Sequence, residues 1–347
     1  MPDRLAEIIP LQCPCCKEAL NDQGTSLGCQ RCGAAYPVYD GIPSFRETDA
    51  FYEGKFTETE PDSTQTKKRL ARIALDFYRA FSQSHLRNRF IAKMMKSIRR
   101  PRVILDLGCG GGSYFLSRMG YVVGIDLSLA SLRNAKKVYN QAVHSDISAI
   151  PFPDACFDFI VSRDVLGHIP PTQKESVYQE MFRLCRNGGR VIHAIEVDSW
   201  NPVWRFAQKY PSLFRQYFLD QYGHYGLEAP EKACHRLEKV GFYPVKINPL
   251  FRTGIVRANQ YIAMFDNEYR QRSKLINFIV VAAKVVDSRP LLRGAYSFLA
   301  GVLDTLLGIA LPFSWAQLLL VCYEKDAAFH SSLKGLNYRR TIISRAV

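Results

Sequence analysis

Apolar residues along this chain fall into two rhythms. Val103–Leu107, Phe157–Val161 and Val191–Val197 are short apolar-rich runs, the pattern of strands buried on both faces of a parallel sheet. Leu70, Ile73, Ala74, Phe77, Tyr78 and Phe81 instead keep a three-to-four spacing, as do Phe90, Ile91, Met94, Met95 and Ile98. That spacing predicts helix over Lys67–Arg99, stopped by Pro101. Tyr114–Arg118 reads as a further helix, Ser128 as the cap of one over Leu129–Tyr139, and Ala229–Gly241 as one ending at glycine. Arg46–Thr66 is acidic and polar with few large aliphatics, and reads as a linker.

Two stretches depart from this alternation. Residues 198–226 are crowded with rings, among them Trp200, Trp204, Tyr210, Phe218, Tyr222 and Tyr225, and are expected to form a helical cap. Leu275–Val286 and Ser297–Leu311 are long apolar runs, but Lys284 and Asp304 interrupt them. Neither reaches the roughly 18–20 residues that cross a bilayer. They read as buried cap helices, an oligomer interface, or helices lying in a membrane surface.

Charge sharpens the picture because it is localised. The formal charge is +14, and between Lys67 and Arg102 twelve Lys and Arg face Asp76 alone. Leu333–Val347 adds Lys334, Arg339, Arg340 and Arg345. Such segments suit phosphates of nucleic acid or anionic lipid, or a solvated helix face. No apolar run follows a charged start, so no signal peptide is expected. Cys109, Cys156, Cys185, Cys234 and Cys322 are scattered through apolar stretches, a usage that suits a reducing cytoplasm.

The other five cysteines crowd into the first 32 residues. Cys13/Cys16 and Cys29/Cys32 form two C-x-x-C knuckles, and two such turns complete the tetrahedral thiolate shell of a structural zinc site. So short a segment buries too little to fold alone, and metal would supply the missing stability. Cys15 is left as a spectator.

The central stretch is V-I-L-D-L-G-C-G-G-G-S, Val103–Ser113, a strand running into Gly108, Gly110, Gly111 and Gly112. Glycine there lets backbone approach a ligand closely. Asp126 follows Asp106 at the distance a ribose-binding carboxylate would take, and both a nicotinamide and an adenosyl cofactor stay open on these residues. Three later stretches extend the series: H-S-D-I-S-A-I-P-F-P (His144–Pro153), F-D-F-I-V before S-R-D-V-L-G-H-I, and M-F-R-L-C-R-N-G-G-R-V-I-H-A.

Over Arg102–Ile195 this order resembles the class I S-adenosylmethionine-dependent methyltransferases, in particular the small-molecule branch that includes the menaquinone methyltransferases. The resemblance implies an α/β, Rossmann-like doubly wound sheet of seven strands, the last antiparallel. It assigns Asp106, Gly108, Gly110 and Gly112 to the methionine part of the cofactor, Asp126 to the ribose, and Leu127, Asp146 and Ile147 to adenine. Phe242–Phe251 resembles the sixth strand and Ala316–Glu324 the seventh, so a helical insertion of residues 253–315 precedes the last strand. Ala34–Phe45 resembles the end of small zinc-ribbon proteins that partner methyltransferases. The expected organisation is a zinc-ribbon module (1–45), a linker (46–66) and a methyltransferase domain (67–347). Ribosomal RNA guanine methyltransferases also carry a four-cysteine ribbon, which is the argument for RNA.

Methyl transfer from a sulfonium is an in-line displacement, and a hydroxyl acceptor is helped by a base. His168, His193 and His224 are the candidates near the expected cleft, with Glu196. No N-P-P-Y-like stretch follows the fourth strand, which disfavours adenine amino-methylation. The cleft-forming stretches lack paired cysteines, which disfavours cytosine carbon methylation. Three functions follow: methylation of a hydrophobic or lipid-linked small molecule, with peripheral contact to anionic membrane; methylation of ribosomal or transfer RNA; and a non-catalytic cofactor-binding module.

Overall fold

The structure is a computed structural model, and it describes residues 9–47, 51–54, 56–60, 82–96, 98 and 102–326. The first module is a small antiparallel sheet of β1 (Leu20–Asp22), β2 (Ser26–Cys29), β3 (Ala35–Tyr39) and β4 (Ile42–Pro43), in that order. It is seated on the larger domain. Gln12 N donates to Pro151 O, Phe45 N to His144 O, and Ile42 is buried in the larger domain's core.

The larger domain is built on β5 (Val103–Leu107), β6 (Tyr121–Asp126), β7 (Gln141–His144), β8 (Phe157–Arg163), β9 (Cys185–Glu196), β10 (Phe242–Leu250) and β11 (Leu318–Lys325). Their order across the sheet is β10-β11-β9-β8-β5-β6-β7. β5 to β9 run parallel, and β11 is antiparallel to both β9 and β10. This is the seven-stranded mixed sheet expected. Successive residues feed two separate cores: Leu105, Val123 and Ile160 pack on one face, Ile104, Val122 and Val161 on the other. Burial on both faces is why the strands read as near-continuous apolar runs.

Helix α1 (Gln83–Met95) is capped by Ser82 and lays Phe90, Ile91, Met94 and Met95 on the sheet. The first half of the expected basic helical stretch, with its charges from Lys67 to Arg79, lies outside the described residues, as does the basic tail. After α2 (Tyr114–Ser117), α3 (Leu129–Ala135) is capped as expected, with Ser128 Oγ accepting from Ser131 N at 3.1 Å. The helix 171–184 ends as expected, and although β9 begins at Cys185, its pairing with β8 breaks before Arg190 and Gly188 is left-handed (φ 71°), so the Gly-Gly turn survives as a bulge at the start of the strand. Gly189 allows this, since a Cβ there would meet Cys185 Sγ at 2.9 Å and Asp158 O at 3.0 Å.

The aromatic stretch and the insertion form one cap. Residues 202–208, 211–214 and the π-helical turn 215–220 pack against helices 258–265, 269–272 and 274–287. Phe218, Phe265, Tyr269, Ile276 and Val280 share its core. The hairpin closes with 290–308, and no described helix is long and apolar enough to cross a membrane.

Candidate active site

Chain order reverses at β5, whose neighbours β6 and β8 carry successive segments to opposite sides. In such sheets the crevice at the strands' carboxyl ends, at this switch point, takes the ligand. A cavity of about 1420 Å³ opens there, between the glycine loop and the aromatic cap.

The loop has left-handed backbone at Gly108 (φ 60°), Gly110 (54°) and Gly112 (85°). A Cβ at Gly108 would lie 2.6 Å from Val165, and one at Gly110 2.8 Å from Phe56 O, so both need glycine. Asp126 ends β6 and braces the loop, accepting from Gly110 N at 2.8 Å and Ser128 N at 2.9 Å. Burial raises its pKa against those hydrogen bonds. Asp126, Leu127, Asp146 and Ile147 all line the cavity, as do Gly108, Gly110 and Gly112. Asp146 also pairs with Arg46 at 2.9 Å, so the end of the first module reaches the same wall. These backbone donors, small residues and a ribose-type carboxylate fit an adenosyl cofactor.

Asp106 is placed differently from the expectation. It is fully buried and does not line the cavity, because the pleat of β5 points it into the domain. There it accepts from Tyr139 Oη at 2.6 Å and pairs with Arg163 at 2.7 Å. Arg163 does line the cavity, as do Glu60 and Arg87. Glu60 bridges both arginines, at 2.6 Å and 3.4 Å, and accepts from Ser113 Oγ at 2.7 Å. Burial opposes ionisation of Glu60, but Arg163 leads the groups that outweigh it and hold its pKa below the ordinary value.

Glu60 belongs to the stretch read as a linker, whose described residues 56–60 form a strap over the glycine loop. Gly111 N donates to Phe56 O (3.0 Å), Glu60 N to Gly112 O (3.0 Å), and Thr59 Oγ1 to Gly111 O (2.8 Å). Glu53 accepts from the first amides of α3, Leu129 N and Ala130 N. Nothing in the residue pattern signalled the strap, two of whose three contacts with Gly111 and Gly112 run through its own backbone. Arg163 did leave a signal, as a cation closing an apolar strand.

On the far wall, three segments meet. His168 follows β8, Glu196 ends β9, and His224 comes from the cap. His224 Nε2 stands 2.8 Å from Glu196 Oε2, His168 Nε2 4.0 Å from it, and the two imidazole centroids are 4.6 Å apart. Burial, then the neighbouring His224, push the His168 pKa down. Burial acts the same way on His224, but the Glu196 carboxylate outweighs it and its pKa is raised. Asp164, in left-handed backbone (φ 58°), pairs with Arg87 at 2.5 Å between the two walls. His193 is not in this group. It lies inside β9, 1% exposed, with Nδ1 2.8 Å from Ser162 Oγ, and burial holds its pKa near about 3. A neutral, sequestered imidazole three residues short of the strand end does not reach the cavity.

In the first module the sulfurs of Cys13, Cys16, Cys29 and Cys32 lie within 4.8 Å of one another. Cys16 and Cys29 are 3.3 Å apart, Cys13 and Cys32 3.6 Å. Cys15 is outside this group; its Sγ lies 3.8 Å from Tyr36 Oη, the hydroxyl that also meets Cys13 Sγ at 3.2 Å.

Residues 105–193, about a quarter of the chain, match the family model described as a methyltransferase domain. That match lies on the Rossmann-like sheet described above, so this stretch of the chain carries a methyltransferase-type domain. Among curated proteins, it is 34% identical over 95 residues to an Encephalitozoon cuniculi protein classed as a methyltransferase, covering 27% of this chain and 44% of that one. It is 32% identical over 182 residues to phosphoethanolamine N-methyltransferase of Triticum aestivum, covering 49% and 32%. The chain thus spans less than half the length of these relatives. Among solved structures, Haemonchus contortus phosphoethanolamine N-methyltransferase 2 aligns with TM-score 0.46 at 18% identity, over 84% of this chain and 62% of that one.

Proposed function

We propose that this protein transfers a methyl group from S-adenosylmethionine to a hydrophobic or lipid-linked small molecule. The observation that carries the reading is one cavity with the glycine loop and Asp126 at one end, and His168, Glu196 and His224 beneath an aromatic cap at the other. The cofactor supplies an activated methyl group on a sulfonium. Gly108, Gly110 and Gly112 would admit its methionine part, Asp126 the ribose hydroxyls, and Asp146 with Ile147 the adenine edge. Trp204, Tyr217 and Phe218 line the cap side and would exclude water from the displacement. His168, Glu196 and His224 would meet the acceptor. Calorimetry tests the cofactor assignment: S-adenosylhomocysteine should bind one per chain, and tight binding of a nicotinamide cofactor instead would overturn it.

The acceptor class rests on the cap's outer surface. Leu275 (66% exposed), Phe278 (69%), Leu291 (78%) and Leu306 (63%) face outward from the hairpin of helices 274–287 and 290–308. Lys274 and Arg289, both exposed, flank this apolar face, while Asp304 turns inward to Phe251 N and Thr253 N. An apolar face edged by cations suits an anionic bilayer in which such an acceptor resides. Co-sedimentation with phosphatidylserine vesicles should fall when Phe278 and Leu291 become glutamate. A concentration-dependent dimer that leaves vesicles untouched would assign the face to a second copy. Cys13, Cys16, Cys29 and Cys32 are proposed to hold one structural zinc, their four thiolates meeting its preferred donor set.

A further inference from the structure

His168, Glu196 and His224 come from three separate segments, yet they present two imidazole nitrogens and one carboxylate oxygen within 4.8 Å of one another. Glu196 Oε2 is buried and takes no hydrogen bond among the described residues, although His224 Nε2 is only 2.8 Å away. That pair closes only with a proton on His224 Nε2, and His168 Nε2 stands off the same oxygen at 4.0 Å, so the three donor atoms converge on one point. Tyr222 stacks on His224 (5.8 Å, 22°), and the backbone of Gly223 passes beside His168, where an added Cβ would come 3.4 Å from Nδ1. Resting on the methyl-transfer reading above, we propose that this group is a divalent transition-metal site.

The donor set selects the ion class. Two imidazoles and a carboxylate suit zinc, manganese, iron or cobalt rather than magnesium or calcium, which take oxygen shells. Ligand-to-metal distances of roughly 2.0–2.2 Å place donors about 3–4 Å apart, close to the 2.8 Å and 4.0 Å by which the two imidazoles stand from Glu196 Oε2. Three protein donors on the wall of a cavity leave a coordination position open toward it, the arrangement of a catalytic rather than a structural site. A cation there binds an acceptor oxygen and lowers its pKa, so the hydroxyl proton leaves to solvent. The C–S bond then breaks as the C–O bond forms, and the thioether departs uncharged. The substrate class narrows accordingly to an oxygen acceptor, a hydroxyl or enol on an apolar body.

The test is cobalt titration of the full chain followed by absorption, alongside S-adenosylhomocysteine calorimetry. The parent should take two equivalents: one with the intense charge-transfer bands of thiolate ligation, one with weak ligand-field bands only. Glu196→Gln and His224→Ala should each lose the second equivalent, keep the thiolate spectrum, and bind S-adenosylhomocysteine within about threefold of the parent. A parent that takes only thiolate-bound cobalt, or variants that both retain the second equivalent, would overturn the metal site. A parent that takes both equivalents but ignores S-adenosylhomocysteine would overturn the methyltransferase reading and leave the metal site standing.

Discussion

Replacing Gly110 by valine puts two separate loads on the loop. At φ 54° the backbone is left-handed, which costs a side-chain-bearing residue about 1–2 kcal/mol. The new Cβ would also lie 2.8 Å from Phe56 O, so the strap must lift. That movement threatens the Gly111 N to Phe56 O bond, worth about 1 kcal/mol. Distortion at Gly110 threatens its bond to the Asp126 carboxylate, worth about 1.5–3 kcal/mol. If half to two-thirds of this falls on the cofactor-competent loop, binding weakens by about 3 kcal/mol, more than a hundredfold. Calorimetry with S-adenosylhomocysteine reads that loss directly. Gly24→Val is the control, with φ 87° and nothing within 4 Å of its Cβ, far along the chain from the loop. It should cost stability and leave affinity alone. Equal affinity in Gly110→Val and the parent would refute the assignment of the loop; equal loss in Gly24→Val would show that backbone strain, not the site, is being read.

Other outcomes follow from the same contacts. Metal analysis should find zinc retained in Cys15→Ser and lost in Cys29→Ser, and the reverse would displace the ligand assignment. Glu228 is held by Arg236 at 2.6 Å, Lys232 at 3.0 Å and Lys174 at 3.2 Å. Burial opposes its ionisation, but these cations win and depress its pKa to about 2 from 4.5. A depressed carboxylate contributes stability above its unfolded pKa and loses it as pH falls. About 3 kcal/mol should therefore fade between pH 5 and pH 2 in denaturant titrations, and Glu228→Gln should remove that dependence. Glu228→Gln should also cost about 3–5 kcal/mol at neutral pH, since it strands buried cations. Gly111→Ala would bring a Cβ 2.2 Å from Thr57 O without a left-handed backbone, so hydrogen exchange should speed at the strap while the sheet stays protected.

The sheet was legible because its signals are local. Two-sided burial writes Val103–Leu107 as an apolar run, and the offset between Asp106 and Asp126 marks the second strand's end. Asp106 itself misled, since a carboxylate beside a glycine loop says nothing of which way the pleat turns it. His193 and Glu196 are three residues apart on one strand, so the pleat turns them to opposite faces, and that together with Glu196's place at the strand end separates a sealed imidazole from a cavity-facing carboxylate. His168 and His224 were legible as candidates, but their meeting depends on a cap whose packing no short-range pattern encodes. The strap was invisible for a plainer reason. Its contacts with Gly111 and Gly112 run mostly through backbone, leaving Glu60 to read as one more acid in a polar stretch.

The most direct measurement incubates the protein with S-adenosylmethionine tritiated in its methyl group and fractionated cell extract, then counts lipid, small-solute and RNA fractions separately. Label should enter the lipid or hydrophobic-solute fraction with the parent protein and stay at background with Gly110→Val. Label confined to RNA would contradict the acceptor class, and no label above the Gly110→Val background in any fraction would contradict methyl transfer itself.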